Sequence, residues 1–281
     1  MKRLLVLAVF FCGMFAGIST VFAQGTFTTD GWKNKWGSDF TLAHNSYDNW
    51  SKGGQNNLSV NWYNDMRFVY TQGKSVWRTT NFYTLEYMRI NKQEVQKTDD
   101  RLEFESMYSY VIPLLLNPYA AFTIKTQLLP GYNYVAGENT AQNSAFFDPG
   151  YLTQSAGFAY AYNDILNTRV GFSVKETIAP EYAKNELDDT TKSVKVEPGM
   201  EFVADYSQTY QEIVDVSSKV EVFSDLTGYK SIDVLWKNHI AVRLRENIVL
   251  QFQFSVWYDQ DIDEMRQIKE LTTLGLHYTF F

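Results

Sequence analysis

Along most of this chain apolar and polar residues take turns. Successive side chains on an extended strand point to opposite faces, so the two parities are read separately. From Leu58 to Thr71 the even positions Leu58, Val60, Trp62, Met66, Phe68 and Tyr70 are apolar, with Asn64 the exception. Ser59, Asn61, Asp65, Arg67 and Thr71 share the other parity. Ile232 to Arg245 repeats the pattern, with Ile232, Val234, Trp236, Ile240, Val242 and Leu244 opposite Asp233, Lys237, His239, Arg243 and Arg245. Ile248, Leu250, Phe252, Phe254, Val256 and Tyr258 then oppose Gln251, Gln253, Ser255 and Asp259.

Read this way, the chain predicts strands near 34–45, 57–71, 75–90, 100–112, 117–129, 151–162, 165–178, 195–207, 212–224, 231–245, 248–259 and 268–281. Most exceed the five or six residues usual in soluble sheets and reach the roughly nine to eleven that a tilted strand needs to cross a bilayer. The connections alternate in length. Thr71-Gln72-Gly73-Lys74, Asn117-Pro118, Asn163-Asp164, 208–211 and Glu246-Asn247 are short, and 46–56, 91–99, 130–150, 179–194, 225–230 and 260–267 are longer. Short turns on one side and long loops on the other are the habit of transmembrane barrels. The expected fold is all-β: a single transmembrane antiparallel up-and-down β-barrel of about twelve strands.

The first residues follow another logic. Lys2 and Arg3 precede the apolar run Leu4 to Phe15, and small residues lead to Val21-Phe22-Ala23. That layout predicts a signal peptide over 1–23, cleaved before Gln24. Gly13, Gly17, Ser19 and Thr20 argue against an uncleaved anchor, and Phe11 before Cys12 argues against a lipoprotein. Residues 24–33 then form a short periplasmic lead-in, and 34–281 the barrel. No later stretch is apolar for long enough to cross a bilayer as a helix.

Composition sharpens this picture. Aromatics make up 16% of the chain, yet its mean hydropathy is −0.30. Tallied over a wall that is apolar outside and polar inside, both figures make sense. Loss of Lys2 and Arg3 deepens the net charge from −7 to −9, which excludes a basic nucleic-acid footprint. With Cys12 in the leader, the rest of the chain has no thiolate for a disulfide or metal centre, and no cofactor is expected.

The last strand reads Thr273-Leu274-Gly275-Leu276-His277-Tyr278-Thr279-Phe280-Phe281. Gly275, Tyr278, Phe280 and Phe281 resemble the terminal signal by which barrel-assembly machinery recognises outer-membrane proteins, edge to edge with an exposed strand. Further motifs run through the chain: Asn49-Trp50-Ser51-Lys52-Gly53-Gly54, Lys74-Ser75-Val76-Trp77, Thr98-Asp99-Asp100-Arg101-Leu102-Glu103, Thr126-Gln127, Pro130-Gly131-Tyr132 and Phe146-Phe147-Asp148-Pro149-Gly150-Tyr151. In this order, over roughly 34–180, they resemble the family of uncharacterised outer-membrane β-barrels carrying domain of unknown function 3078. The resemblance implies a barrel in the Gram-negative outer membrane, surrounded by its lipid. It brings no agreed activity and no catalytic residues. Trp50 to Gly54 reads as a tight loop or as a partner contact.

The candidate chemistry lies on the polar parity. Arg67, Arg78, Lys125, Arg169, Lys175, Lys219, Lys237 and Arg243 are its cations, and Asp65, Glu86, Glu103, Glu105, Glu197, Glu201, Asp205, Asp215, Glu221 and Asp233 its anions. Each costs about 2–4 kcal/mol on a lipid face at mid-depth, so all are expected to line the lumen. Two readings stay open. The charges pair and plug a narrow barrel that displays its loops to a partner, or they set a transverse field for passage of small polar solutes, as in a porin. Ser155, Gly157, Ala159, Ala161, Gly171 and Ser173 would leave room along one wall.

A lipid or ester hydrolase is the third reading, and His44, His239 and His277 are its histidines. No Gly-x-Ser-x-Gly elbow supports it, and the chain is expected not to be an enzyme. Glu103 and Glu105 share a face but read as wall lining. Trp62, Tyr70, Trp77, Tyr83, Tyr87, Tyr108, Tyr110, Tyr160, Tyr162, Trp236, Tyr258 and Tyr278 fit interfacial girdles better than sugar-stacking platforms. Asp188, Asp189, Asp261, Asp263 and Glu264 could hold calcium weakly, without a complete loop motif.

Overall fold

A computed structural model describes residues 30–46, 55–114, 116–135, 138–162, 165–187, 190–227, 232–259 and 265–280. The signal peptide, the Asn49–Gly54 motif, the Asn163-Asp164 turn, the five acidic loop residues and Phe281 lie outside them.

The strands are β1 (Gly31–Asn45), β2 (Asn57–Gln72), β3 (Ser75–Ile90), β4 (Gln96–Tyr110), β5 (Asn117–Thr126), β6 (Gly131–Val135) and β7 (Glu138–Ser144). They continue as β8 (Gly150–Tyr162), β9 (Leu166–Ile178), β10 (Val194–Tyr210), β11 (Val214–Asp225), β12 (Ile232–Arg245), β13 (Ile248–Tyr258) and β14 (Gln267–Thr279). Among the described residues all but β6 and β7 close into one antiparallel barrel, in which β14 returns to pair with β1. That is the twelve-strand, up-and-down cylinder expected from the alternation. β6 and β7 form a separate hairpin within the long connection from β5 to β8, where the sequence predicted only loop.

Other edges move as well. β1 starts at Gly31, inside the expected lead-in, because Gly31 to Asn34 pair with Thr71 to Phe68. β4 starts at Gln96 rather than 100, because Gln96 and Lys97 continue the ladder against Met88 and Tyr87 past a bulge. β5 ends at Thr126, three residues short of the predicted 129.

Because directly opposed residues share a face, the registers trace both walls. The inner wall runs through Tyr63, Thr84, Arg101 on β2 to β4 and through Arg169, Val203, Glu221 on β9 to β11. The outer wall carries the apolar parity, and Phe172 stands 70% exposed there. A water-soluble barrel would bury such a row, so this one is built inside out.

The outer tryptophans show how a polar atom is tolerated on that wall. Indole N–H groups donate to a serine on the next strand: Trp62 to Ser38 Oγ at 3.0 Å, Trp77 to Ser106 Oγ at 2.8 Å, and Trp236 to Ser218 Oγ at 3.1 Å. An unsatisfied donor in apolar surroundings is expensive, which accounts for serines on an apolar face. Tyr70, Trp77, Tyr108, Tyr110, Tyr160 and Tyr162 gather at the short-turn end. There Gly73 takes φ +57°, and its N–H donates to Asp30 Oδ1 at 2.8 Å.

Backbones approach closely where β8 meets β9. A Cβ added to Gly157 would run into the Val170 carbonyl and Gly171 Cα, and one at Gly171 into the Ala156 carbonyl and the Tyr119 hydroxyl. We predict that Gly157→Val destabilises the refolded protein by about 1–3 kcal/mol, read as a lowered urea midpoint, since backbone offers the new methyls nowhere to go. An unchanged midpoint would show that the wall relaxes there.

Candidate functional site

The inward parity of ten strands sends charged side chains across the lumen, where they meet partners from strands that are not neighbours. Lys237 Nζ on β12 lies 2.6 Å from Glu103 Oε2 on β4, and Lys219 Nζ on β11 lies 3.2 Å from Glu105 Oε2, also on β4. Lys125 on β5 pairs with Glu221 on β11, which also receives Lys219 at 3.1 Å. Arg169 on β9 bridges two carboxylates, with Nη2 3.0 Å from Glu105 and Nε 2.7 Å from Glu201. Arg101 completes the group, 3.3 Å from Glu103. Together these residues form a belt across the middle of the barrel.

Cavities lie on both sides of it. One of about 260 Å³, towards the short turns, is faced by Asp39, Asp65, Arg67, Asp205, His239 and His277. Another of about 150 Å³, towards the long loops, is faced by Tyr151, Lys175, Asp233, Trp257 and Asp259. Glu105 and Thr123 line both. The belt is therefore the partition between two chambers, each faced by several charged side chains.

All twelve lumen candidates in the sequence point inward. Glu103, Glu105, Lys125, Arg169, Glu201 and Lys237 build the belt. Lys175 and Asp233 pair at 2.5 Å above it. Below it Arg67 lies 3.7 Å from Asp205, Arg78 Nη1 donates to Asn167 Oδ1 at 2.7 Å, and Arg243 pairs with Asp215 at 2.5 Å. Glu86, near the loops, accepts from the Tyr63 hydroxyl and pairs with Lys269 at 3.0 Å. Arg101, Asp99 and Lys269 were missed, although each has the parity of its inward neighbours. The small residues of β8 and β9 do not leave open space as expected. Tyr119 fills it, donating to Glu201 at 3.1 Å beneath the Arg169 guanidinium, and packs with Met107, Ala121 and Ala159.

The motifs gather at the loop rim. Asp148, in the motif before β8, accepts three backbone N–H groups, from Glu181 at 2.9 Å, Tyr182 at 2.7 Å and Ala183 at 3.1 Å. Asp100 accepts those of Leu128 at 3.2 Å and Leu129 at 2.6 Å, and Thr126 Oγ1 donates to the Pro149 carbonyl at 3.1 Å. Carboxylates thus clasp the loops against the barrel mouth.

Of the histidines, His277 Nδ1 lies 2.6 Å from Asp39 Oδ1 and Nε2 3.0 Å from Thr279 Oγ1. His239 lies inward, and His44 is exposed near the loop end of β1. Among the described residues no three His, Cys, Asp or Glu side chains are grouped to hold a metal ion. In the terminal strand Gly275 opposes Thr41, Phe280 stacks on Trp36 at 3.9 Å, and Tyr278 meets Phe280 edge-on.

Comparison with known proteins meets this geometry at one point. Residues 42–132 match the family described as protein of unknown function (DUF3078), which bears out the resemblance over that span. No curated protein matches the chain. Among solved structures, the translocator domain of autotransporter NalP from Neisseria meningitidis has a TM-score of 0.38 at 9% identity, covering 91% of each chain. An outer-membrane channel from Pseudomonas putida F1 has a TM-score of 0.37 at 10% identity, covering 93% of this chain and 98% of its own. Likenesses this weak leave the barrel's own geometry to carry its function.

Two outcomes follow from the site. Glu201→Gln keeps the shape of the side chain but removes one of the two counter-charges of buried Arg169. A loss of about 3 kcal/mol in urea unfolding is expected, because stranding a buried charge is costly. A change below about 1 kcal/mol would mean that Glu105 suffices.

At the rim, burial outweighs the Tyr151 hydrogen bond and raises the Glu186 carboxyl above its usual value of 4.5. A raised acid favours the folded loop in its protonated form. Its contribution is full below the unfolded value and fades as pH rises through the folded one. Amides 181–187 should therefore lose hydrogen-exchange protection across that rise, after correction for intrinsic rates, and Glu186→Gln should flatten the response.

Proposed function

We propose that this protein is an integral outer-membrane barrel of the Gram-negative type, transport-associated rather than enzymatic, in which the ion-pair belt is the constriction for small polar solutes. The observation that carries this reading is the partition itself, a layer of ion-paired side chains with a chamber on either side. A barrel that only needed filling would do better with apolar side chains, since buried ion pairs add little stability over them. Charged side chains facing both chambers suit a path in which a polar solute exchanges its water for wall contacts.

The outward apolar wall and the aromatic collar support a lipid surround. The Gly275, Tyr278 and Phe280 strand supports recognition by assembly machinery, which reads an edge strand and its alternate side chains. His277 next to Asp39 and Thr279 is the nearest approach to hydrolytic chemistry. Threonine is a weak nucleophile there, and the group serves better as a polar tie across the closing strands.

Planar-bilayer recording tests the proposal. The wild type is expected to conduct in small, infrequent events, and Glu103→Gln combined with Lys237→Gln to raise conductance several-fold by untying the belt. Substituting Arg67, Arg78 and Lys125 with Gln should shift selectivity towards cations. If neither the wild type nor the untied variant conducts, the barrel is a closed scaffold for its loops.

A further inference from the structure

The cylinder is joined unevenly. β1 and β14 meet over Gly37–Thr41 and Gly275–Thr279, with one further bond from the Phe280 N–H to the Trp36 carbonyl at 2.9 Å. Continued towards the loops, that register would set Leu42 against Leu274, Ala43 against Thr273, His44 against Thr272 and Asn45 against Leu271. None of these pairs forms. Both edges are nonetheless ordered strands. Leu42 to Asn45 stay paired with Val60 to Asn57 on β2, and Gln267 to Leu274 with Trp257 to Leu250 on β13. Among the described residues the wall therefore carries a slit over these four register positions on its loop side.

Two features make the slit more than a frayed edge. Its outer lips are apolar: Leu42 is 58% exposed and Leu274 57%. On the inner side Lys269 of β14 reaches past β1 and β2, in strand order, to Glu86 on β3 at 3.0 Å and Asp99 on β4 at 2.6 Å. One ammonium thus ties β14 to β3 and β4 on the inner side, next to the slit. Along Leu42–Asn45 and Leu271–Leu274 the outer-edge backbone N–H and C=O groups face no partner strand, which hydrocarbon alone tolerates poorly.

We propose that the slit is a lateral portal for single-tailed anionic amphiphiles, whose tail lies against the apolar lips while the head displaces a carboxylate from Lys269. A phosphate or carboxylate head gives both the ammonium and the bare N–H groups charge-assisted bonds; a neutral sugar head gives only weaker hydroxyl acceptors, and a cationic head repels the ammonium. The portal gives the loop-side half of the lumen an exit into the bilayer that bypasses the belt. It rests on the membrane reading above.

The test uses the full barrel in phosphatidylcholine nanodiscs, with dodecyl phosphate as probe and dodecyl maltoside as the neutral head on the same tail. Calorimetric titration should show dodecyl phosphate binding, weakened about tenfold by Lys269→Gln, in line with the loss of a charge-assisted hydrogen bond. Asp99→Asn frees the ammonium from one competitor and should tighten binding, which keeps the test decisive if the lysine variant folds poorly. Equal affinity for wild type and both variants overturns the portal.

Cysteines read the slit directly. Ala43→Cys with Thr273→Cys should resist oxidation to a disulfide, whereas Ser38→Cys with Tyr278→Cys, paired in register, should oxidise, because a disulfide needs Cα atoms within about 7 Å. Ready oxidation of the 43–273 pair also overturns the portal. Flotation of that same variant with vesicles reads membrane insertion separately, so loss of the portal and loss of the membrane reading give different results.

Discussion

Closing a sheet on itself forces every second side chain into a space that no other element shares, and the rest of this structure answers that constraint. Inward residues have only one another and water as neighbours. Here many are charged, so their partners must come from across the lumen. The belt is the densest expression of this. Lys125, Lys219 and Lys237 reach Glu221, Glu105 and Glu103 over separations of 96, 114 and 134 residues in sequence. Pairs so distant in the chain order the wall as a whole, because no single hairpin can satisfy them.

The same constraint explains why the small residues of β8 and β9 fail to make a passage. Where two glycines let the strands approach, the neighbouring strand β5 lays Tyr119, the register partner of Gly157, over them, and Arg169 closes over its ring. Smallness on one strand is matched by bulk on the strand beside it, as packing at ordinary density requires.

How much of this was legible in the sequence follows from which physical signal each feature carries. Alternation with a period of two marks strands directly, so Leu58 to Thr71 and Ile232 to Arg245 were readable almost to the residue. Parity also told which charges face inward. What it lacks is register between distant strands, so the partners of Glu103 and Lys237 could not be named. Nor could the early end of pairing between β1 and β14. The β6–β7 hairpin was invisible for another reason. Glu138–Ser144 reads Glu-Asn-Thr-Ala-Gln-Asn-Ser, which has almost no apolar member to alternate. The loop motifs were visible as words, but their meaning depends on Asp100 and Asp148 meeting backbone contributed by other loops.

Asp148 carries a consequence for how this loop region can diverge. Its three acceptor bonds go to main-chain N–H groups, which any residue but proline supplies. The side chains of Glu181 and Tyr182 are therefore free to drift without disturbing the clasp, while Ala183 is held by its packing against Ala179 and Leu187 and position 148 by the need for a short acidic side chain. Among relatives, the variable face of the barrel mouth and its fixed anchor should then lie within a few ångströms of each other, one changing quickly and the other scarcely at all.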